Sequence, residues 1–468
     1  MPAARQSGRA GRPYRRPQPD AARRAAFDVL RAVDERDAYA NLVLPDLLTS
    51  RDIEGRDAAF ATELTYGTLR LTGTYDVVLA ACVDRPLDQV DPPVRDVARL
   101  GAHQLLAMRV PAHAAVSATV ELARAVLGDG RAKFVNAVLR RVGARDLAAW
   151  VSELAPAYDV DPVGHLAVAH AHPRWVVSAV RDALHGSLDE TAELLAADNV
   201  PPAVTLVARP GRADVAELLA AGAEPGRWSP YAATLRGGDP GAIAAVREGR
   251  AGVQDEGSQL VALALAAAPV DGRDRRWLDL CAGPGGKAAL LAALARERGG
   301  RLVAAELAPH RARLVRHAVG RDADVVVADG RSPAWGAGVF DRVLVDAPCT
   351  GLGALRRRPE ARWRRTAEDV APLAALQRSL LGSALDAVRP GGLVAYVTCS
   401  PHLAETHAVV RDAVRGRHDV EQVDARPFLP PMPDLGGGPH VQLWPHRHGT
   451  DAMYLALLRR TGGGPGVN

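Results

Sequence analysis

The sequence predicts three folded parts: an all-α N-terminal domain, a small α+β module and a C-terminal doubly wound α/β domain. Three observations lead there. Before residue 145 the apolar residues recur at helical spacing, and no strand-like run interrupts them. Between 171 and 250, helical patterns mix with Asn199-Val-Pro-Pro-Ala-Val-Thr-Leu-Val207, which reads as a turn and then a strand. Beyond Arg275, short β-branched runs alternate with helical stretches, the pattern of a layered parallel sheet. A chain of 468 residues is long enough for several cores.

Residues 1–20 form a basic arm rich in Arg, Gly and Pro, with nothing to bury, and are expected to be disordered. Such an arm is either a solubilising tail or a weak RNA-binding segment. In 21–145, Ala26, Leu30 and Val33 share a helix face, as do Phe60, Leu64 and Leu71. Pro92-Pro93 opens a further helix carrying Val94, Val97, Leu100, Leu105 and Leu106. The piece Phe134-Val-Asn-Ala-Val-Leu-Arg-Arg141 resembles the NusB-like RNA-binding domain; a helical adaptor with no RNA role is the alternative. Residues 146–170 read as a helical linker. The module 171–250 starts at His172-Pro-Arg-Trp-Val176 and contains the helical run Val215 to Ala221. The final domain covers 251–460, and 461–468 is a Gly-rich tail. Its candidate strands are 277–280, 301–305, 324–328, 342–346 and 393–398, with 441–444 and 452–458 as a closing antiparallel pair.

No apolar stretch approaches the ~20 residues of a membrane span, and no secretory h-region follows the basic N-terminus. Cys82, Cys281, Cys349 and Cys399 lie far apart, without zinc-ligand spacing, so neither a metal site nor a disulfide framework is expected. A reduced, cytoplasmic setting follows. Of 58 basic residues only Lys133 and Lys287 are lysines, so a lysine retained against that bias points to a need for an ammonium.

Asp279-Leu-Cys-Ala-Gly-Pro-Gly-Gly-Lys287 follows the first strand of the last domain and precedes a helix. It is not a phosphate-binding P-loop, which would need Gly in place of Cys281 and Ser or Thr in place of Ala288. Its glycines let a ligand approach the backbone and the helix N-terminus. Glu306, ending the next strand, can accept from ribose hydroxyls, and Asp329, ending the third, can meet an adenine amino group. Both NAD and S-adenosylmethionine would use such a loop.

The downstream cysteines separate those two. Val343, Leu344 and Val345 form a buried-strand run that stops at Asp346, and the turn that follows carries Pro348 and Cys349. The run 391–398 delivers Cys399 in the same way. If these strands are parallel neighbours, both sulfurs face one cavity at their carboxyl ends. Hydride transfer has no use for two such thiols, whereas methylation of a pyrimidine carbon does. Carbon 5 of cytosine is too weak a nucleophile until a thiolate adds at carbon 6, and a second group must assist release. Asp346 can accept from the exocyclic amino group, or donate to the ring if protonated, while Lys287 positions or neutralises the base. Each cysteine taken alone would read as a small core residue.

Asp346-Ala-Pro-Cys-Thr-Gly351 with Tyr396-Val-Thr-Cys-Ser400 resembles the RNA 5-methylcytosine methyltransferases of the Sun/RsmB type. Gly449-Thr-Asp-Ala-Met-Tyr454 is similar to their closing strand motif. The resemblance implies a Rossmann-like S-adenosylmethionine-dependent methyltransferase domain with Cys399 as nucleophile and Cys349 in product release. It implies cofactor contacts at Cys281, Ala282, Gly283, Pro284, Gly285, Gly286 and Lys287, and at Glu306, Asp329 and Asp346, with Arg311 added. The family often has Thr where Ala288 stands and Glu-Asn where Glu405-Thr406 stands; neither change removes a residue with a chemical role.

Arg356, Arg357, Arg358, Arg362, Arg364 and Arg365, with Trp363 among them and Glu360 the one acid, read as a phosphate track. Trp363 would either stack on a base or anchor in the core. The expected partner is RNA with an unpaired cytidine, ribosomal RNA above all, since the base must leave any stack to meet a thiolate. The expected protein is a monomer without metal. Transfer RNA as substrate, or a non-catalytic RNA-binding assembly factor, are the alternatives.

Overall fold

Residues 20–332 and 334–462 are described by a computed structural model, and they divide into two compact units meeting in sequence at Ala155 and Pro156. Almost all of the basic arm and most of the Gly-rich tail lie outside the described residues. Among the described residues, no helix is long and apolar enough to cross a membrane.

The first unit is helical throughout, as its periodicity predicts. Its helices are Ala21–Arg36, Ala40–Ser50, Gly55–Arg70, Thr72–Cys82, Pro92–Leu106, Ala112–Leu127, Asp129–Val142 and Leu147–Leu154. Asp20 caps the first by accepting from the Arg23 amide at 3.0 Å. Leu30, Leu64, Val97, Leu100 and Leu139 meet in one core, and Tyr75, Val138 and Trp150 in a second.

The stretch 146–170 divides between the two units. Trp150 buries in the first, whereas Leu166, on helix Pro162–Ala169, packs with Val177 and Leu195 in the second. Helices Arg174–Ala183 and Leu188–Ala197 follow. A small antiparallel sheet then forms from β1 (Val204–Ala208), β2 (Glu224–Pro225), β3 (Ala232–Leu235) and β4 (Ala251–Val253), in the order β2-β3-β1-β4. Strand β4 runs directly into Gln254 and Asp255, and Asp255 caps helix Glu256–Ala267. The small sheet is therefore joined to the larger one through this helix.

The larger sheet has eight strands: β5 (Arg276–Asp279), β6 (Arg301–Glu306), β7 (Ala323–Val327), β8 (Phe340–Asp346), β9 (Val388–Thr398), β10 (Val420–Val423), β11 (Val441–Gln442) and β12 (Tyr454–Arg460). Their order is β10-β12-β9-β8-β5-β6-β7, with β11 pairing β12. Strands β5 to β9 are parallel, and β12 closes antiparallel against β9. The five expected parallel strands and the closing pair are all present. Strand β10 was not anticipated, because Val420-Glu-Gln-Val423 is half polar and lies at the sheet edge.

Central strands are buried on both faces, so they read as continuous apolar runs: Val343, Leu344, Val345 and the whole of 393–397 are inaccessible. Helices Gly286–Glu297 and Val370–Ala387 cover opposite faces, the first in a core with Leu344 and Ala395, the second in a core with Val345 and Tyr396. Register pairs Asp346 with Val397 across β8 and β9, and Asp279 with Leu344 across β5 and β8. The carboxyl ends of β5, β8 and β9 therefore lie side by side.

Candidate active site

Strand β8 ends at Asp346, and the turn after it is held to β9 by backbone bonds. Ala347 N donates to Val397 O at 2.9 Å, and Gly353 N donates to Cys399 O at 2.8 Å. These bonds bring the two cysteine turns together, and the Cys349 and Cys399 sulfurs lie 3.5 Å apart. The expected convergence of residues fifty apart in the chain is what the parallel pairing of β8 and β9 produces.

The sulfurs are not equivalent. Cys399 is held below the usual thiol range, chiefly by the hydrogen bond it shares with Cys349, with the Lys287 ammonium adding to this while burial opposes it. Cys349 lies well above that range: the bond it shares with Cys399, its burial, and the charges of Cys399 and Glu405 all oppose its ionisation. The pair therefore carries one thiolate on Cys399 before Cys349.

Lys287 donates to Asp346 Oδ2 at 2.9 Å. Burial disfavours the ammonium, but the charge of Asp346 and its hydrogen bond outweigh burial and raise Lys287 above its ordinary value. This pair and the two sulfurs belong to one charged cluster, since the charge on Lys287 acts on Cys399.

Beside them lies the glycine turn between β5 and helix Gly286–Glu297. A Cβ on Gly283 would fall 2.2 Å from Glu306 Oε2, and one on Gly285, at φ 117°, would fall 2.6 Å from Ala318 Cβ. Glycine is required at Gly285, and a side chain at Gly283 would displace the carboxylate of Glu306 and the guanidinium of Arg311. Ala282 is buried and its amide donates to Ala305 O at 2.9 Å, while Pro284 sits between the two glycines and Gly286 opens the helix. Cys281 is half-buried and its thiol is raised well above the usual range by burial.

Glu306, at the end of β6, accepts from the amides of Gly283 at 3.1 Å and Ala308 at 3.0 Å. Arg311 donates to Gly283 O at 2.7 Å. The acid and the arginine expected at a cofactor thus first shape the loop itself, with oxygen lone pairs of Glu306 remaining. Asp329 lies in the turn after β7 and is paired with Arg331 at 2.6 Å, which holds its carboxyl down at about 2.

Sequence reasoning left out three polar side chains of this region. Asp279 is completely buried, and burial, with Asp346 adding to it, pushes its carboxyl up to about 8. Its Oδ1 accepts from the Cys281 amide at 3.3 Å, and its Oδ2 has no hydrogen-bond partner among the described residues. Gln254 Oε1 is likewise buried without a partner, and the Gln254 side chain faces Gly286. Both atoms have hydrogen-bonding capacity to offer a ligand amino group. Asp279 carried the same signal as Glu306 and Asp346, an acid ending an apolar run; Gln254 carried none. The third is Glu405, which is inaccessible and accepts from residues of both cysteine turns.

The arginine track is corrected by the structure. Arg362 is fully buried, donating to Asn199 Oδ1 at 2.7 Å and Asp198 O at 2.9 Å. Arg356 is buried and donates to Gly449 O at 3.0 Å, and Arg357 is clamped on Asp451. These three hold protein segments distant in sequence together. Arg365 and Trp363 are exposed, so Trp363 is not a core anchor.

The family model described as 16S rRNA methyltransferase RsmB/F matches residues 264–459, and that of the NusB family matches residues 20–144. A Mycobacterium tuberculosis protein named only as a methyltransferase is 59% identical over 451 residues, 96% of this chain and 98% of the relative. The ribosomal RNA small subunit methyltransferase B of Pseudomonas syringae is 32% identical over 462 residues, 95% of this chain and 99% of that protein. The crystal structure of PH0851 superposes with a TM-score of 0.78 at 23% identity, covering 95% of this chain and 99% of the other. NSun6 from Pyrococcus horikoshii superposes with a TM-score of 0.52 at 18% identity, over 62% of this chain and 98% of that one. At those identities both structures establish a shared fold.

Proposed function

The chain belongs to the ribosomal RNA small subunit methyltransferase B family, and from that membership we propose that it methylates carbon 5 of an unpaired cytidine in 16S ribosomal RNA through a covalent Cys399 adduct. The observation that carries this reading is the pair of sulfurs 3.5 Å apart beside the Lys287–Asp346 ion pair. S-adenosylmethionine, when bound, supplies an electrophilic methyl group. Asp279, Gln254, Glu306, Arg311, Asp329 and the 281–287 turn are the residues that would hold it. The buried, unpartnered oxygens of Asp279 and Gln254 suit its ammonium group.

The Cys399 thiolate adds to carbon 6 of the cytosine, and the electron pair moves to carbon 5 and the ring carbonyl side. Asp346 accepts from the exocyclic amino group, and Lys287 balances the negative charge that develops on the ring. Carbon 5 then takes the methyl group. Once Cys399 is bonded to carbon it no longer carries charge, and one of the causes holding Cys349 protonated is gone. Cys349 can then give its proton to water and, as thiolate, take the carbon 5 proton; the ring double bond re-forms and Cys399 leaves as thiolate. The cell compartment that fits two reduced thiols is the cytoplasm, and a single chain contains every residue named.

Cys399→Ala is expected to lower methylation of 16S RNA by about 10³-fold or more, measured by transfer of labelled methyl. Near-normal turnover in that variant would end the proposal. Cys349→Ala is expected to accumulate a protein–RNA adduct that survives a denaturing gel, and the absence of such a band under conditions of methyl transfer would overturn its role in release.

A further inference from the structure

Glu405 carries a charge that the proposed reaction does not use. It is inaccessible, and a buried carboxylate is costly unless its oxygens are fully hydrogen-bonded. They accept four bonds, all from neutral donors. Oε1 accepts from Thr350 N at 2.9 Å and Gln377 Nε2 at 3.0 Å. Oε2 accepts from Thr350 Oγ1 at 2.5 Å and Ser400 Oγ at 2.7 Å. Thr350 follows Cys349 and Ser400 follows Cys399, and their hydroxyl oxygens lie 3.1 Å apart. Gln377 also donates to Pro348 O at 2.8 Å, immediately before Cys349, and Tyr396 of β9 donates to the Glu405 carbonyl at 2.7 Å. One side chain thus ties the two turns that carry the sulfurs.

We infer that Glu405 is a positioning residue that fixes the gap between the two sulfurs and makes them unequal, its charge opposing a second negative charge on Cys349. A brace alone would need only an acceptor. A carboxylate brings charge as well, and two of its four bonds come from Thr350, the residue after Cys349, against one from Ser400, the residue after Cys399. The effect falls on Cys349, while the ammonium of Lys287 acts on Cys399. The sulfurs are thus sorted from two sides, and Cys399 ionises first. This inference rests on the reading in which Cys399 attacks and Cys349 releases.

The test uses full-length protein without RNA or methyl donor. Iodoacetamide labelling of each cysteine is followed by peptide mass spectrometry across a range of about pH 6 to 10, bracketing the free thiol value. In Glu405→Gln the half-labelling pH of Cys349 is expected to fall by on the order of one unit, with that of Cys399 moving less. In turnover the same variant should lose kcat by about tenfold with KM for RNA little changed. An unmoved Cys349 profile, or equal movement of both thiols, overturns the inference, because a purely structural brace predicts one of those results. Should Glu405→Gln fail to fold, Ser400→Ala keeps the carboxylate and removes one tether. Cys349 must then still label at higher pH than Cys399, and the reverse order overturns the idea. Wild-type protein with the expected labelling but no methylation would defeat the proposed reaction and leave this inference standing; methylation with an unmoved profile would do the opposite.

Discussion

Asp279 illustrates how one buried carboxyl links the site to the stability of the domain. In the unfolded chain it ionises near its ordinary value of 3.8, whereas in the folded protein burial pushes it up to about 8. Between those values the folded state holds a proton that the unfolded state has released, so stability falls as pH rises through this window. Asp279→Asn keeps an oxygen for the Cys281 amide and removes the titration. Thermal melts from about pH 5 to pH 8 should show the wild-type protein losing stability relative to the variant as pH rises; parallel curves would mean that Asp279 is ionised in the fold. The same substitution should weaken binding of the methyl donor, measured by titration calorimetry, because Oδ2 is left without a protein partner. At this scale the acids and thiols at strand ends were legible, since a β-branched run that stops at Asp or before Pro marks a strand end wherever it occurs. Glu405 was not. A lone acid in a short polar stretch gives no sign of burial, and the partners that satisfy it, Thr350 and Gln377, are distant in sequence.

At the level of elements, the segment after Cys349 is held from behind by its arginines. Arg362 reaches Asn199 and Asp198 at the end of helix Leu188–Ala197, and Arg356 and Arg357 reach the segment before β12. A run of arginines reads as solvated surface because guanidinium groups are seldom buried, and nothing in the run itself reveals the carbonyls and carboxylates waiting elsewhere. The strand pattern, by contrast, is local and was read almost completely; edge strand β10 escaped because its alternation is weak. The two kinds of arginine should behave differently. Arg362→Met strands Asn199 Oδ1 and Asp198 O and removes a charge beside Asp198, whose carboxyl burial already pushes up to about 7. A loss of about 3 kcal/mol in urea unfolding is expected. Arg365→Ala should leave that midpoint unchanged and reduce the salt dependence of RNA binding by roughly one phosphate contact. Equal stability losses in the two variants would show that the distinction between buried clamp and exposed contact is wrong.

At the scale of the whole molecule, the chain contains two units that each carry a core of their own. Leu64, Leu100 and Leu139 belong to the first, and the two faces of the eight-stranded sheet to the second. Every residue of the candidate site lies after residue 253, within the second unit. The first, which matches the NusB family over residues 20–144, contains none of them, and the proposed function gives it RNA binding and the second unit the chemistry. Such a division makes a kinetic prediction. An interaction made equally with substrate and transition state changes KM and leaves kcat alone, whereas one made only during the chemistry changes kcat. Protein lacking residues 1–155 should therefore keep its cooperative melt, its methyl-donor binding and the unequal labelling of Cys349 and Cys399. Its KM for ribosomal RNA should rise by about tenfold or more while kcat stays within a few-fold. A fall in kcat with KM unchanged would mean that the helical unit acts in the chemical step, and the confinement of the reaction to the second unit would then have to be abandoned.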